Sequence, residues 1–392
     1  MNDFFSSSFT LGILGGGQLG KMLLTETRKY DIQTKVLDPS PEAPCRIGSN
    51  HFEVGDLKDE ARVLEFAKGV DVLTIEIEHV STEALRKLKA QGVQVHPDPE
   101  ALAIIQDKGA QKSFYKDHNI ATSPFELFKN RDEVMAALAS DRWNLPCVWK
   151  SRTGGYDGFG VSVLRTEEDL QNIGEGISLL EEMVPFAMEL AVVVARNPKG
   201  EVASYPIVEM EFHPTANQVE YVLAPARIDA FGGKTGEQIA AEAKELAERT
   251  ATKLGICGLL AVELFLTPEG ELLVNEVAPR PHNSGHWTIE GAYTSQFEQH
   301  LRGIMDLPLG STQLKAPSVM VNLVGAEGHS GPVRYDKMEE TLAMPGVYPH
   351  IYGKKETRPF RKMGHVTVVS DKLDEARQLA EEVKGNLSVI SH

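Results

Sequence analysis

Short apolar runs and amphipathic stretches alternate along the first part of the chain. Thr10 to Leu14 reads as a buried strand, Lys21 to Tyr30 as a helix, and Gln33 to Leu37 as a second strand ending at Asp38. Asp59 to Lys68 and Thr82 to Gln91 have helical spacing, and Val70 to Ile77 and Val93 to His96 are strands. Strands and helices in strict alternation with short connections predict a parallel sheet. The rhythm then changes. Pro99 to Asn119 is helical, Thr122 to Phe128 extended, Arg131 to Ala139 helical and Pro146 to Lys150 a strand. Ser178 to Val184, Glu189 to Ala195, Val202 to Val208 and Val219 to Ala224 read as strands, the middle two an antiparallel pair around Asn197 to Gly200. Gly236 to Leu254 is a long amphipathic helix and Ser295 to Met305 another. After Pro308 come strands at Ser318 to Val324 and Val366 to Val369, then a last helix, Leu373 to Val383. The expectation is an α/β and α+β chain in three parts, 1–115, 116–312 with a subdomain at about 120–184, and a small β-rich part at 313–392.

One hairpin concentrates chemistry. Val262 to Leu266 and Leu272 to Val277 are apolar runs around the turn signal Pro268-Glu269-Gly270-Glu271. A two-residue turn centred on Glu269-Gly270 sets Phe265 opposite Val274 and Glu263 opposite Glu276, with the two carboxylates on one face. Like charges directly opposed destabilise a sheet, and a cation with oxygen preference, such as Mg²⁺, removes the conflict. A solvated outer face would also tolerate them. Arg280, His282, Asn283 and His286 follow in a segment with poor helix and strand character, where a rigid hairpin can display them.

Composition narrows the partners. Forty Lys and Arg against 56 Asp and Glu give a net charge of −16 over 392 residues, which argues against general binding of nucleic acid or anionic membrane. The three cysteines, Cys45, Cys147 and Cys257, are too scattered for a ligand pattern and suit a reducing compartment. No apolar run approaches spanning length and the N-terminus lacks a secretory pattern, so a cytoplasmic protein is expected.

Two glycine loops and a basic loop remain. Gly15-Gly16-Gly17-Gln18-Leu19-Gly20 lies between a strand and a helix and fits G-x-G-x-x-G, so its N–H groups could approach a phosphate; a structural turn is equally open. Glu76 and Glu78 end the Val70 strand, where open α/β sheets place ligands. Gly154, Gly155, Gly158 and Gly160 separate two β segments behind Lys150, forming a flap suited to covering a ligand, although it is no P-loop. Lys354, Lys355, Arg358, Arg361 and Lys362 form a basic loop in an acidic chain, a solvated loop or an anion clamp.

A lysine-flanked flap, the strand end Glu181-Glu182 and a paired-carboxylate hairpin are together the parts of an ATP site without a P-loop. In this order they resemble the ATP-grasp superfamily. The strings GGGQLG, EIEHV, GGYDGFG, NEVAPRPHNSGHW, TSQFEQHLR and RKMGH resemble, within it, the N5-carboxyaminoimidazole ribonucleotide synthases of purine biosynthesis, over about Leu11 to His365. The resemblance implies an ATP-grasp fold with an N-terminal Rossmann-like domain and a small C-terminal β-rich domain. It also implies ATP and Mg²⁺ as cofactors, aminoimidazole ribonucleotide and bicarbonate as substrates, a carboxyphosphate intermediate and a homodimer. By position it implies ATP contacts from Lys108, Lys150, the flap Gly155, Tyr156, Asp157, Gly158, Phe159, Gly160 and Val161, the segment Glu181, Glu182, Met183 and Val184, and Glu189, His213, Asn275 and Glu276. Glu263 and Glu276 would hold the metal. Tyr156, Asp157, Arg280 and His282 would carry the chemistry around bicarbonate. Gly15, Gly16, Gly17, Gln18, Glu76 or Glu78, Lys354 and Arg361 would hold the ribonucleotide. Phe159 and Val161 depart from the basic residue and glutamine common in the family, and Lys108 stands where some members have arginine. Rival readings are a formate-using glycinamide ribonucleotide transformylase of similar organisation, a nicotinamide-dependent oxidoreductase built on the first glycine loop, and a nucleotide-binding regulator without catalysis.

Overall fold

The computed structural model describes residues 4–140, 142–154, 160–216 and 218–392. The flap residues Gly155, Tyr156, Asp157, Gly158 and Phe159 lie outside the described residues. The first strands are β1 (Thr10–Leu14), β2 (Gln33–Asp38), β3 (His51–Val54), β4 (Val72–Ile75) and β5 (Gln94–His96). They form the expected parallel sheet, in the order β3-β2-β1-β4-β5. Helices α1 (Gln18–Lys29), α2 (Glu60–Phe66) and α3 (Thr82–Ala90) connect them. The order reverses between β1 and β4, so the crevice beyond their C-terminal ends holds Gly15 and Glu76, where such sheets bind ligands.

The stretch expected as one helix from Pro99 is two, α4 (Pro99–Gln106) and α5 (Lys108–Asp117). Asp107 breaks it. Its backbone is extended, its carboxylate accepts the Gly109 and Ala110 N–H groups at 2.8 and 3.1 Å, and Arg152 grips the same carboxylate at 2.8 and 2.5 Å. The break makes Lys108 the first residue of a new helix, facing a cleft.

Next comes an antiparallel sheet of β6 (Phe125–Phe128), β7 (Cys147–Ser151), β8 (Val161–Leu164) and β9 (Ser178–Glu182), ordered β6-β9-β7-β8, with α6 (Arg131–Ala139) over it. The largest sheet is antiparallel and begins with β10 (Met188–Arg196), β11 (Val202–Ser204), β12 (Val208–Phe212) and β13 (Val219–Ala224). After α7 (Gly236–Leu254) it gains β14 (Gly258–Leu266) and β15 (Leu272–Ala278). Apolar side chains of α7 pack on β10 and β14 to form its core, which is why that helix carries no chemistry. Helices α8 (Thr288–Gly291) and α9 (Gln296–Ile304) follow. The C-terminal part contributes β16 (Ser318–Val324), β17 (Gly331–Asp336), α10 (Met338–Leu342), β18 (Val347–Ile351), β19 (Glu356–Thr357), β20 (Lys362–Val369), α11 (Leu373–Asn386) and β21 (Ser388–Ser391). Strand β16 pairs with β13, so β16, β20 and β18 extend the large sheet, while β19, β17 and β21 form a small sheet beside it.

Strand β12 escapes the apolar pattern because Glu209 and Glu211 alternate along it. Both carboxylates are held by Arg227, and Glu211 also by Arg377 of α11. Among the described residues no helix is long and apolar enough to cross a membrane.

Candidate active site

The β14–β15 hairpin brings Glu263 and Glu276 together, by a route other than the expected one. Its turn has three residues. Thr267 N–H donates to Glu271 O at 2.9 Å, and Gly270 takes the left-handed conformation at φ 78°. Pairing next to the turn is therefore Phe265 with Leu273 and Leu264 with Val274, one residue away from the expected register. Val274 lies in the core and not beside Phe265, which corrects the sequence reading. Beyond Glu263 the register slips back, to Val262 with Val277 and Ala261 with Ala278. One residue of β14, Glu263, thus meets two of β15, Asn275 and Glu276, in a bulge. The bulge turns both Asn275 and Glu276 toward the cleft, which alternation alone would forbid.

The charges there are unevenly matched. Lys108 Nζ lies 2.5 Å from Glu276 Oε2. That lysine's charge, against the cost of burial, holds the Glu276 carboxyl down at about 2. Burial first, and then the charge of Glu276, push Glu263 up to about 8. Glu189, on the neighbouring β10, is pushed up to about 7 by burial. Glu181 is almost fully buried, yet it is held below the usual carboxylate range by Lys150 and Lys112, each 3.2 Å from its Oε2, and by the Ser123 hydroxyl at 2.7 Å. Its other oxygen, Oε1, is buried and has no hydrogen-bond partner among the described residues. Lys150 also reaches Asn275 Oδ1 at 3.3 Å.

These groups line a cavity of about 360 Å³ between the two antiparallel sheets. Among the residues singled out in the sequence, Lys108, Lys150, Val161, Glu181, Glu182, Met183, Val184, Glu189, Glu263, Asn275, Glu276 and His282 come together around it. His213 does not. Phe212 and Gln218, on either side of it, do, while the His213 imidazole turns to accept N–H groups of its own turn, from Thr215 and Ala216. Sequence reasoning missed Phe186, whose ring stacks on that of Phe265 at 4.8 Å and 8° on one wall, and the lining residues Val163 and Arg165; it noted Phe265 only for its hairpin pairing and Lys362 only as part of the basic loop, and both border the cavity. It also missed Lys112, whose Nζ meets Thr122 and Ser123 hydroxyls as well as Glu181.

The loop after β15 closes one end. His282 Nε2 is 3.6 Å from Glu263 Oε1, and Arg280 Nε donates to Glu78 Oε2 at 2.9 Å, joining this loop to the parallel-sheet domain. Glu76 goes elsewhere. Its carboxylate accepts the Leu19 N–H at 3.2 Å and lies so close under the first glycine loop that a Cβ on Gly17 would overlap it. Gly16 N–H donates to Asp38 at 2.7 Å, and Gly15 N–H to the Leu37 carbonyl at 2.8 Å. The N–H groups expected to meet a phosphate at Gly15, Gly16 and Gly17 are thus engaged by the protein's own oxygens, and a dinucleotide pyrophosphate has no place there. Next to Gln18 and Gly20, Lys21 donates to Ile351 O at 2.7 Å, and Lys355 pairs with Glu42 at 2.5 Å, so the basic loop lies against this domain. Within that loop Lys354 donates to Lys362 O, and Arg361 to Glu356 O, both at 2.7 Å.

Known proteins share this fold. The crystal structure of N5-carboxyaminoimidazole ribonucleotide synthetase from Thermotoga maritima superposes with a TM-score of 0.88 at 44% identity, covering 98% of this chain and 100% of that one. The Bacillus subtilis N5-carboxyaminoimidazole ribonucleotide synthase is 37% identical over 93% of this chain and 92% of its own length. The chain belongs to the N5-carboxyaminoimidazole ribonucleotide synthase family. Family models match in the same order along it. They are a ribonucleotide synthetase preATP-grasp domain at 9–106, an ATP-grasp domain at 113–297 and a phosphoribosylaminoimidazole carboxylase C-terminal domain at 318–379. An Aspergillus clavatus synthase crystallised with ADP and 5-aminoimidazole ribonucleotide has a TM-score of 0.86 at 32% identity, over 96% of this chain and 98% of that one. The chloroplastic phosphoribosylaminoimidazole carboxylase of Vigna aconitifolia is 39% identical over 97% of this chain, which spans 66% of that longer protein. Most of the residues that line the cavity described above lie within the part matched by the ATP-grasp domain model.

Proposed function

We propose that this chain uses ATP and bicarbonate to carboxylate the amino group of 5-aminoimidazole ribonucleotide, giving the N5-carboxylated ribonucleotide of purine biosynthesis. The observation that carries the reading is a convergence. The cavity with its paired carboxylates opens at His282 onto a loop that Arg280 ties to Glu78 of the parallel-sheet domain, against which the basic loop also rests.

The chemistry runs in two steps. Bicarbonate is a poor electrophile until phosphorylation gives it a leaving group. One of its oxygens attacks the γ-phosphorus, the bond to the bridging oxygen breaks, and ADP leaves carboxyphosphate behind. The ribonucleotide amine then attacks the carboxyl carbon, the C–O bond to phosphate breaks, and the amine gives up a proton as inorganic phosphate departs. Lys108 and Lys150 hold the ATP phosphates. Glu181, Glu182, Met183, Val184 and Glu189 border adenine and ribose, with the unpartnered Glu181 Oε1 as an acceptor and the Phe186–Phe265 pair as an apolar wall. Arg280 and His282 border bicarbonate. Lys354 and Arg361 take the ribonucleotide phosphate, and Glu78 presents to the substrate through its bridge to Arg280. Glu76 braces the glycine loop from within.

The donor set fits Mg²⁺. Glu263, Glu276 and the Asn275 amide are oxygen donors, and the charge of Glu276 beside the buried Glu263 is one that a cation between them would offset. Among the described residues no cluster of three or more His, Cys, Asp or Glu could hold a metal alone, so phosphate oxygens would complete the shell. When bound, Mg²⁺ draws charge from the phosphoryl oxygens.

The test is ADP release from ATP with aminoimidazole ribonucleotide, with and without bicarbonate, against glycinamide ribonucleotide plus formate. Bicarbonate-dependent release with the first substrate is expected. Release only with the second pair would favour the transformylase.

A further inference from the structure

Gln296 opens α9 and is fully buried. Its side chain makes three hydrogen bonds, all to the loop that carries Arg280 and His282. Oε1 accepts the His282 N–H at 2.9 Å, Nε2 donates to the His282 carbonyl at 2.8 Å, and Nε2 also lies 2.9 Å from His286 Nδ1. The first two bonds decide which way the amide points, because a backbone N–H only donates and a carbonyl only accepts. The third then follows. Nε2 offers a proton, so His286 Nδ1 accepts it and His286 carries its own proton on Nε2. Burial, with the charges of His282, His350, Lys362 and Arg280 around it, keeps the His286 ring neutral, as this bond requires. The Gln296 backbone joins in: its N–H donates at 2.8 Å to the Thr288 hydroxyl, which donates at 2.5 Å to the Gly285 carbonyl. Gly285 permits the approach, since a Cβ there would overlap the Gln296 amide.

We infer that Gln296 is a positioning residue for the carboxylation, one that holds the 282–286 turn and so sets the His282 ring beside Glu263. The inference rests on the carboxylation reading, in which His282 borders bicarbonate. A packing role alone would need only a side chain of that length and volume. The bonds need an acceptor and two donations in one plane.

Two substitutions separate these roles. Gln296→Met keeps the bulk and loses every side-chain bond. Gln296→Glu keeps the bulk and, when ionised, can accept from His282 N–H but repels the His282 carbonyl and cannot donate to His286. When protonated, that carboxyl has one acceptor and one O–H, so two of the three bonds are made, one more than when it is ionised. The groups facing it are His282 and His286 on the loop, Thr288 and Ser295 near the helix start, and Arg280, Lys362 and His350 farther out.

The experiment measures ADP release by the full-length enzyme from about pH 6 to 8.5, varying bicarbonate, ATP and ribonucleotide in turn, with melting temperatures recorded alongside. Both variants should lose roughly tenfold or more in kcat/KM for bicarbonate, with the KM for ATP within about twofold of the parent. Relative to the parent, Gln296→Glu should recover several-fold toward the acid end, while Gln296→Met stays flat. Unchanged bicarbonate kinetics in both variants would overturn the inference. So would a loss shared equally by ATP, or Gln296→Glu tracking Gln296→Met at every pH. If Gln296→Met does not fold, the pH response of Gln296→Glu decides alone. A parent enzyme without bicarbonate-dependent ADP release would instead remove the carboxylation reading itself.

Discussion

Replacing Glu263 with glutamine should stabilise the protein in the absence of divalent cations, and the gain should grow with pH. Burial and the Glu276 charge push Glu263 from 4.5 up to about 8. A carboxyl with a raised folded pKa keeps its proton after the unfolded chain has released it. Between about pH 4.5 and 8 the folded state therefore binds more protons, and its stability falls as pH rises. The interval from 4.5 to about 8, at about 1.4 kcal/mol per unit, sets a ceiling of about 5 kcal/mol. The Glu276 side chain is 46% exposed, and solvent there screens part of the repulsion, leaving on the order of 2–3 kcal/mol. Glutamine has nearly the same shape and cannot ionise, so the pH-dependent loss should vanish. Melting curves in excess chelator should show Glu263→Gln roughly 2–4 °C above the parent at pH 8 and within about 1 °C at pH 5. With ADP and Mg²⁺ added, the parent should gain more than the variant, since one ligand carboxylate is gone. Parallel melting temperatures for the two proteins from pH 5 to 8 would refute the argument, because they would show that Glu263 carries no strain that a cation relieves.

Glu276→Gln should abolish ADP release without raising the melting temperature, because relief at Glu263 is offset by Lys108 losing the carboxylate 2.5 Å away; a stability gain matching that of Glu263→Gln would count against the Lys108 pairing. Arg361→Ala should raise the KM for ribonucleotide by roughly tenfold to a hundredfold, equivalent to about 1.5–3 kcal/mol of charge-assisted bonding, and leave the KM for ATP almost unchanged; the reverse pattern in steady-state kinetics would move the basic loop to the nucleotide site. Lys112→Met should weaken ADP binding by calorimetry at least tenfold, as Glu181 loses one of its two lysines and draws Lys150 from the phosphates; unaltered affinity would make Lys112 a scaffold residue only. Gly285→Ala should destabilise the protein by about 1–3 kcal/mol in urea unfolding, from overlap with Gln296, and an unchanged midpoint would show that the turn can yield.

What could be read in the sequence depended on how locally each feature is encoded. The parallel sheet follows from an apolar rhythm repeated every few residues, and α7 from one uninterrupted amphipathic run, so both were visible. The carboxylate pair was visible too, but the reason for it was misread. Alternation from a two-residue turn sets Glu263 against Glu276 by counting, whereas the chain uses a three-residue turn with Gly270 in a left-handed conformation and then corrects the register with a bulge. A signal was present: Val274 and Val277 are both core residues, with the two polar residues Asn275 and Glu276 between them. A regular strand cannot bury both valines on one face, because residues three apart point to opposite sides, so that spacing already requires an extra residue. The first glycine loop misled in the opposite way. Its motif advertises free N–H groups, but their partners, Asp38 and Glu76, arrive from later strands and cannot be read from the loop itself. The same limit hides Lys112 and Gln296. Each is an ordinary polar residue on a helix by local pattern, and each takes its importance from partners that only the tertiary fold brings within reach: Glu181 for one and the His282–His286 turn for the other. A buried polar side chain with all its bonds directed at one functional loop is therefore the feature to look for once a fold is in hand, since no periodicity in the sequence announces it.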